Sequence, residues 1–192
     1  MVYSYQINGL IVQTGDLVCT TDRGDIDIKG QYWRLIGKLI PGEVDHIVIF
    51  VGPVGRCVEA GARGKVITFD VMKGQWNAEK MMLQRGLFSD AFYGVAHPLK
   101  GRNIDPDKSM AIRESVASFC LEQARLEKSY NINFLNSDTE DAFYCSQLAY
   151  KAYLKNGIDL NTGQGIPKIP GTGSIIFPQE IWAGCAHVGV GK

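Results

Sequence analysis

The chain has 192 residues, of which 45% are hydrophobic and 21% charged, enough apolar side chains for one sizeable core and the make-up of a globular protein. Lys+Arg and Asp+Glu number 20 each, and no basic block or stripe runs along the chain, which argues against nucleic acid as a partner. No apolar stretch is long enough to span a bilayer, and Met1 to Val12 lack the cationic and apolar regions of a secretory signal, so a cytoplasmic location is the expectation.

In chain order, Thr14 to Thr20 read as a turn followed by a short strand. Between Asp27 and Ile40, the spacing of Ile28, Tyr32, Leu35, Ile36 and Leu39 predicts a helix ended by Pro41-Gly42. Asp45 to Val51 form a continuous β-branched run that turns at Gly52-Pro-Val-Gly55 into Arg56 to Ala60, predicting a hairpin. Lys65 to Val71, Lys80 to Arg85 and Phe92 to His97 are expected to be further strands, closed by Pro98. Asp105-Pro106 should open a long helix, as cap and first residue, with Ile112, Val116, Phe119 and Cys120 as its buried stripe and an end near Glu127. A polar loop, Asn131 to Glu140, leads to a helix that begins at Cys145. Its apolar face is Leu148, Ala149, Ala152 and Tyr153, and Asn156-Gly157 should stop it. Gly163 to Gly173 should be irregular, and Ser174 to Trp182 should pack back on the body. Strands in the middle with helices on either side, and no internal repeat or boundary, predict one α+β domain over residues 1–192.

The five cysteines are scattered, odd in number and never in Cys-x-x-Cys spacing. Free thiols are expected rather than a disulfide framework or structural zinc, and no cofactor or metal is called for. Cys19, Cys57 and Cys120 lie on strand or helix faces, where a thiol is ordinarily packing. Cys145 differs, because a thiol at a helix N-terminus faces unpaired N–H groups and the positive end of the helix dipole, which favour its thiolate. A cysteine nucleophile also needs a base and a group that orients the base. The histidines are His46, His97 and His187. If the hairpin pairs 50 with 57 and 48 with 59, then His46 and Glu59 share one face of the sheet. As diagonal neighbours roughly 7–8 Å apart between backbones, they are within reach of each other's side chains. A slip of one residue would separate them. His97 reads as a strand-end surface residue. His187, in Cys185-Ala-His-Val-Gly-Val190, is the rival base, but no following strand offers it an orienting group.

Gly15-Asp-Leu-Val, Asp45-His-Ile-Val-Ile-Phe-Val-Gly, Val58-Glu-Ala and Tyr144-Cys-Ser-Gln-Leu-Ala-Tyr together resemble the NlpC-type papain-like superfamily. In its ordinary members the cysteine helix comes first. Here it comes last, as in the circularly permuted branch that includes the YiiX/YaeF-like proteins and the lecithin–retinol acyltransferase relatives. The resemblance covers roughly Gly15 to Gly157. It implies a permuted papain-like fold, with a central antiparallel sheet or half-barrel against helices and the nucleophile at a helix N-terminus. It further implies Cys145 as nucleophile, His46 as base and Glu59 as orienting residue, in an amidase or peptidase cleaving a small amide or peptide. The alternatives are a lipid acyltransferase or thioesterase, and a non-catalytic binding module on the same fold. Tyr144 and Asp45, next to the nucleophile and the base, are candidate substrate-binding residues. Ordinary members carry Asp-Cys-Ser-Gly where this chain has Tyr144-Cys-Ser-Gln, so their cell-wall peptide specificity does not carry over. The lecithin–retinol branch favours histidine as third residue, so Glu59 points to the YiiX-like group.

Overall fold

The computed structural model describes residues 1–22, 41–86 and 89–190; the helix expected over Asp27 to Ile40 lies outside them. The chain begins with a hairpin, β1 (Ser4–Ile7) and β2 (Leu10–Gln13), that was not anticipated from the sequence. Asn8 and Gly9 turn it with φ of 47° and 84°, the left-handed pair that a two-residue turn requires and that Asn-Gly tolerates best.

The main sheet has six antiparallel strands. In chain order these are β3 (Leu17–Asp22), β4 (His46–Gly52), β5 (Arg56–Ala60), β6 (Val66–Asp70), β7 (Asp90–His97) and, after the helices, β10 (Ala186–Gly189). In space they run β10-β7-β3-β4-β5-β6. β4 is central and buried at every position, which explains its unbroken apolar run: both faces of the sheet are covered. Ile47, Ile49 and Val51 face a core built with Val116, Cys120, Leu148 and Tyr153 of two helices. Val48 and Phe50 face a second core with Ile7 and Val12 of the first hairpin and with Phe69 and Trp76.

The register of β4 and β5 decides the site. Phe50 pairs with Cys57 and Ile49 with Val58, the expected alignment, and a shift at the turn brings Gly52 opposite Arg56. One strand expectation is overturned: Lys80 to Arg85 belong to a helix, α1 (Ala78–Arg85). Its residues are nearly all strong helix formers, and the Asn77 side chain accepts the Lys80 N–H at 2.9 Å as an N-cap. Ala78, Met81 and Arg85 are its buried members, the last two four residues apart.

α2 (Pro106–Arg125) starts as expected, with Asp105 capping Lys108 N–H at 2.9 Å. β8 (Ser129–Tyr130) and β9 (Ala142–Phe143) form a short parallel pair at the two ends of the polar loop. α3 (Cys145–Leu154) buries Leu148, Ala149, Ala152 and Tyr153, and Gly157 takes φ 75° just beyond its end. α4 (Pro178–Gly184) then folds back, its Gln179 side chain accepting the N–H groups of Glu43 and Val44 at 3.1 and 3.0 Å. That contact holds the backbone leading into His46. Among the described residues no helix is long and apolar enough to cross a membrane.

Candidate active site

Cys145 is the first residue of α3, 6% exposed, where the orphan N–H groups and dipole of the helix bear on its sulfur. His46 opens β4 beneath it, with its imidazole near enough to the thiol for each to shift the other's pKa. The other side of the ring is anchored too: Nε2 of His46 lies 2.8 Å from Oε2 of Glu59 on β5. Thiol, imidazole and carboxylate are therefore contiguous, although Cys145 is 99 positions from His46 in the chain.

The chain of contacts does not end at Glu59. Arg85 donates to Oε1 and Oε2 of Glu59, through Nε at 2.9 Å and a terminal nitrogen at 2.7 Å. The same guanidinium donates to both oxygens of Asp90, at 2.8 and 3.0 Å. The Trp76 indole N–H reaches Asp90 at 3.2 Å. Arg85 is fully buried, between the rings of Phe69 and Trp76, each 4.8 Å from its central carbon. A planar cation with forked donors suits two carboxylates and two ring faces at once; a lysine ammonium would not. Neither Arg85 nor Asp90 was picked out from the sequence. A helix cap at Asn77 and a glycine at 86 were the available signals that residues 78–85 are a helix and not a strand.

These contacts set the protonation states. For Cys145, burial pushes the thiol up, but the His46 charge, its hydrogen bond and the Ile47 N–H bring it below its ordinary value. Burial works against a charged His46, yet the Cys145 sulfur and the Glu59 carboxylate outweigh it and lift the ring to about 10. Burial also disfavours an ionised Glu59, while Arg85 and His46 hold its carboxyl at about 2. The directions are those of a thiolate–imidazolium pair resting on a permanently ionised carboxylate. The other thiols move the opposite way: burial pushes Cys19, Cys57, Cys120 and Cys185 up, the last to about 11. All five cysteines are unpaired and buried.

The remaining candidates fall into different places. Tyr144 is 2% exposed, and its hydroxyl accepts the Ile176 N–H at 3.0 Å. Ser146 donates to the Ile176 carbonyl at 2.6 Å, so both neighbours of Cys145 clasp the returning tail. Asp45 is half-buried just before β4 and donates its N–H to the Thr20 carbonyl at 3.2 Å. Gln147, the departure from the ordinary motif, is wholly buried. Its oxygen accepts from Tyr144 N–H and Asn131, at 3.2 and 3.0 Å. Its nitrogen donates to the carbonyls of Ser137 and Thr139, at 3.1 and 3.0 Å. The amide thus uses every site it has and pins the 131–140 loop to the start of α3. His187 lies on β10, with β7 and β3 between it and β4, roughly 14 Å across the sheet. Its Nδ1 bonds the Cys185 carbonyl at 2.8 Å and its ring packs on Trp182. His97, at the end of β7, pairs with Asp16 at 2.9 Å. Compared with known proteins, the chain matches no family model, no curated protein and no solved structure.

Proposed function

We propose that this chain is a cysteine-dependent amidase or peptidase on a permuted papain-like scaffold, with Cys145 as nucleophile, His46 as base and acid, and Glu59 as the residue that orients His46. The observation that carries the reading is the unbroken buried contact Cys145–His46–Glu59, with the thiol at a helix N-terminus and its pKa drawn down while that of the imidazole is drawn up. A packing cysteine needs none of this, and burial alone would raise its pKa, as it does at Cys120.

In the reaction, the Cys145 sulfur attacks the carbonyl carbon of an amide, forming a C–S bond as the C=O electron pair moves to oxygen. Backbone N–H groups at the start of α3, that of Cys145 among them, stabilise the oxyanion; one such donor is typically worth about 10²–10³ in rate. The C–N bond then breaks, and His46 gives its proton to the leaving amine. Water, losing its proton to His46, attacks the thioester carbonyl, and the carboxylic acid leaves as the thiolate returns. Arg85 and Asp90 touch no reacting atom; they hold Glu59 ionised and in place, so that Nε2 of His46 is committed to it and the other ring nitrogen is left for sulfur.

The second reading is acyl transfer or thioester hydrolysis on a lipid. Its support is the loop pinned by Gln147, where Ile132 and Leu135 are 70% and 60% exposed. Purified protein incubated with peptide-amide, phospholipid and thioester libraries, with Cys145→Ala as control, separates the two. Amine release together with a Cys145 acyl adduct by intact mass is the expected outcome. Acyl exchange with phospholipid and no amide cleavage would overturn the amidase assignment, and turnover by Cys145→Ala would overturn both.

A further inference from the structure

Far from Cys145 the structure has a second charged cluster. Asp16, just before β3, accepts Arg113 at 2.9 Å, His97 at 2.9 Å and the Gln13 N–H at 2.9 Å. Arg113 also donates to the Thr14 carbonyl at 2.7 Å. This cluster lies at the end of β7, whereas Asp90, which holds Arg85, lies at its beginning; the two are roughly 20 Å apart along the strand. A cavity of about 600 Å³ opens beside it.

The arginine is the telling residue. Arg85 spends its guanidinium on two carboxylates and is sealed from solvent. Arg113 is 8% exposed, yet only one of its terminal nitrogens is engaged by the described residues, and the side chain lines the cavity. Asp16 also lines the cavity and offsets one positive charge, but three protein donors already occupy its carboxylate. Lys100 and Ser109 add an ammonium and a hydroxyl to the wall, and the formal charge of Asp16, Arg113 and Lys100 together is +1. The rest of the lining is largely apolar, with Leu10, Leu99 and Val188 contributing. Forked donors from a nearly buried arginine, a lysine nearby and an apolar wall form a receptor for an anionic head on an apolar stem.

We propose that this cavity is a binding site for a small amphipathic anion, a carboxylate or phosphate monoester carrying a short apolar chain, with Arg113 and Lys100 on the anionic group. The volume lies in the range of small-molecule sites. The site is independent of the chemistry assigned to Cys145, and its test does not require activity.

Calorimetric titration of the full chain with hexanoate, hexyl phosphate and hexanol tests it. At least one of the two anions is expected to bind at least tenfold more tightly than the alcohol, and the pair together identify the preferred head group. Lys100→Glu and Ser109→Asp, both at sites that tolerate polar side chains, are each expected to weaken anion binding tenfold or more, with thermal melting confirming that they fold. Cys145→Ala is expected to bind unchanged, within twofold. The proposal is overturned if hexanol binds as well as the anions, if neither anion binds at millimolar concentration, if neither wall substitution matters, or if Cys145→Ala abolishes binding.

Discussion

The two ends of β7 each adjoin the same order of contact: a histidine on a carboxylate that is held by an arginine. At one end these are His46, Glu59 and Arg85; at the other, His97, Asp16 and Arg113. Only the first has a thiol on the other side of the ring. Only the first is closed, with its arginine between two aromatic rings, while the second opens into a cavity. A histidine–carboxylate pair is therefore common to both ends and does not tell them apart. What distinguishes the first end is a helix N-terminus that delivers a sulfur to the imidazole, and enough burial for the charges to act on one another undiluted by water.

The largest difference should appear in thiol reactivity. His46→Ala removes the cation that favours the Cys145 thiolate and is expected to slow iodoacetamide alkylation of Cys145 at pH 6 by about 10²-fold, whereas His97→Ala should leave the rate within twofold. The raised pKa values of the other thiols keep the background low, and Cys145→Ser gives it directly. Equal effects from the two histidines would erase the distinction between the ends.

Stability sharpens the comparison next. Arg85→Met removes the cation between two buried carboxylates and is expected to cost about 3–5 kcal/mol in urea unfolding. Arg113→Met leaves Asp16 with His97 and the Gln13 N–H, and should cost less, about 1–3 kcal/mol. The pH dependence follows from Glu59. Its carboxyl is lowered from 4.5 to about 2, so in this interval the unfolded chain binds a proton that the folded chain does not. The contribution of Glu59 is therefore fully present above pH 4.5 and lost as pH falls toward 2. In Arg85→Met the folded pKa of Glu59 moves back up toward 4.5, so this contribution shrinks, read as a shallower fall of unfolding free energy between pH 4.5 and 2.

Legibility from sequence followed the range of the interaction. His46 and Glu59 were placed together by strand parity, and the pairs Phe50–Cys57 and Ile49–Val58 have the assumed register, so a local rule carried that far. Cys145 was visible because its helix has a clear apolar stripe, all of it buried. The α+β composition and the α2 cap were equally local. Arg85 is not visible, since the residues around it read as a strand and no local pattern tells a buried arginine from a solvated one. Its partners Glu59 and Asp90 come from two other strands. Gln147 stands out in the sequence only as a departure from a motif, because three of its four partners lie on a loop whose path is settled by tertiary contacts. The Asn8-Gly9 hairpin is the opposite case: its turn rests on a strong local signal, two adjacent residues suited to positive φ.

The smallest effect tests how Arg85 reaches the site at all. α1 has only eight residues, too few to be stable alone, so its geometry depends on its ends and on the packing of Met81 and Arg85. Asn77→Ala removes the side-chain acceptor for the Lys80 N–H and should cost about 0.5–2 kcal/mol in urea unfolding. If α1 acts as a single rigid arm, the loss stays global and Cys145 alkylation at pH 6 changes by less than twofold. If α1 frays locally, Arg85 loosens from Glu59, His46 is held less firmly, and alkylation slows several-fold at the same stability cost. Asn77 touches nothing in the contact chain from Cys145 to Asp90, so a several-fold slowing would trace the nucleophile's reactivity through His46, Glu59 and Arg85 to the cap of a short helix. No counterpart should exist at the other end of β7, where Arg113 is on the 20-residue helix α2 and Asp105→Ala at its cap should leave anion binding unchanged.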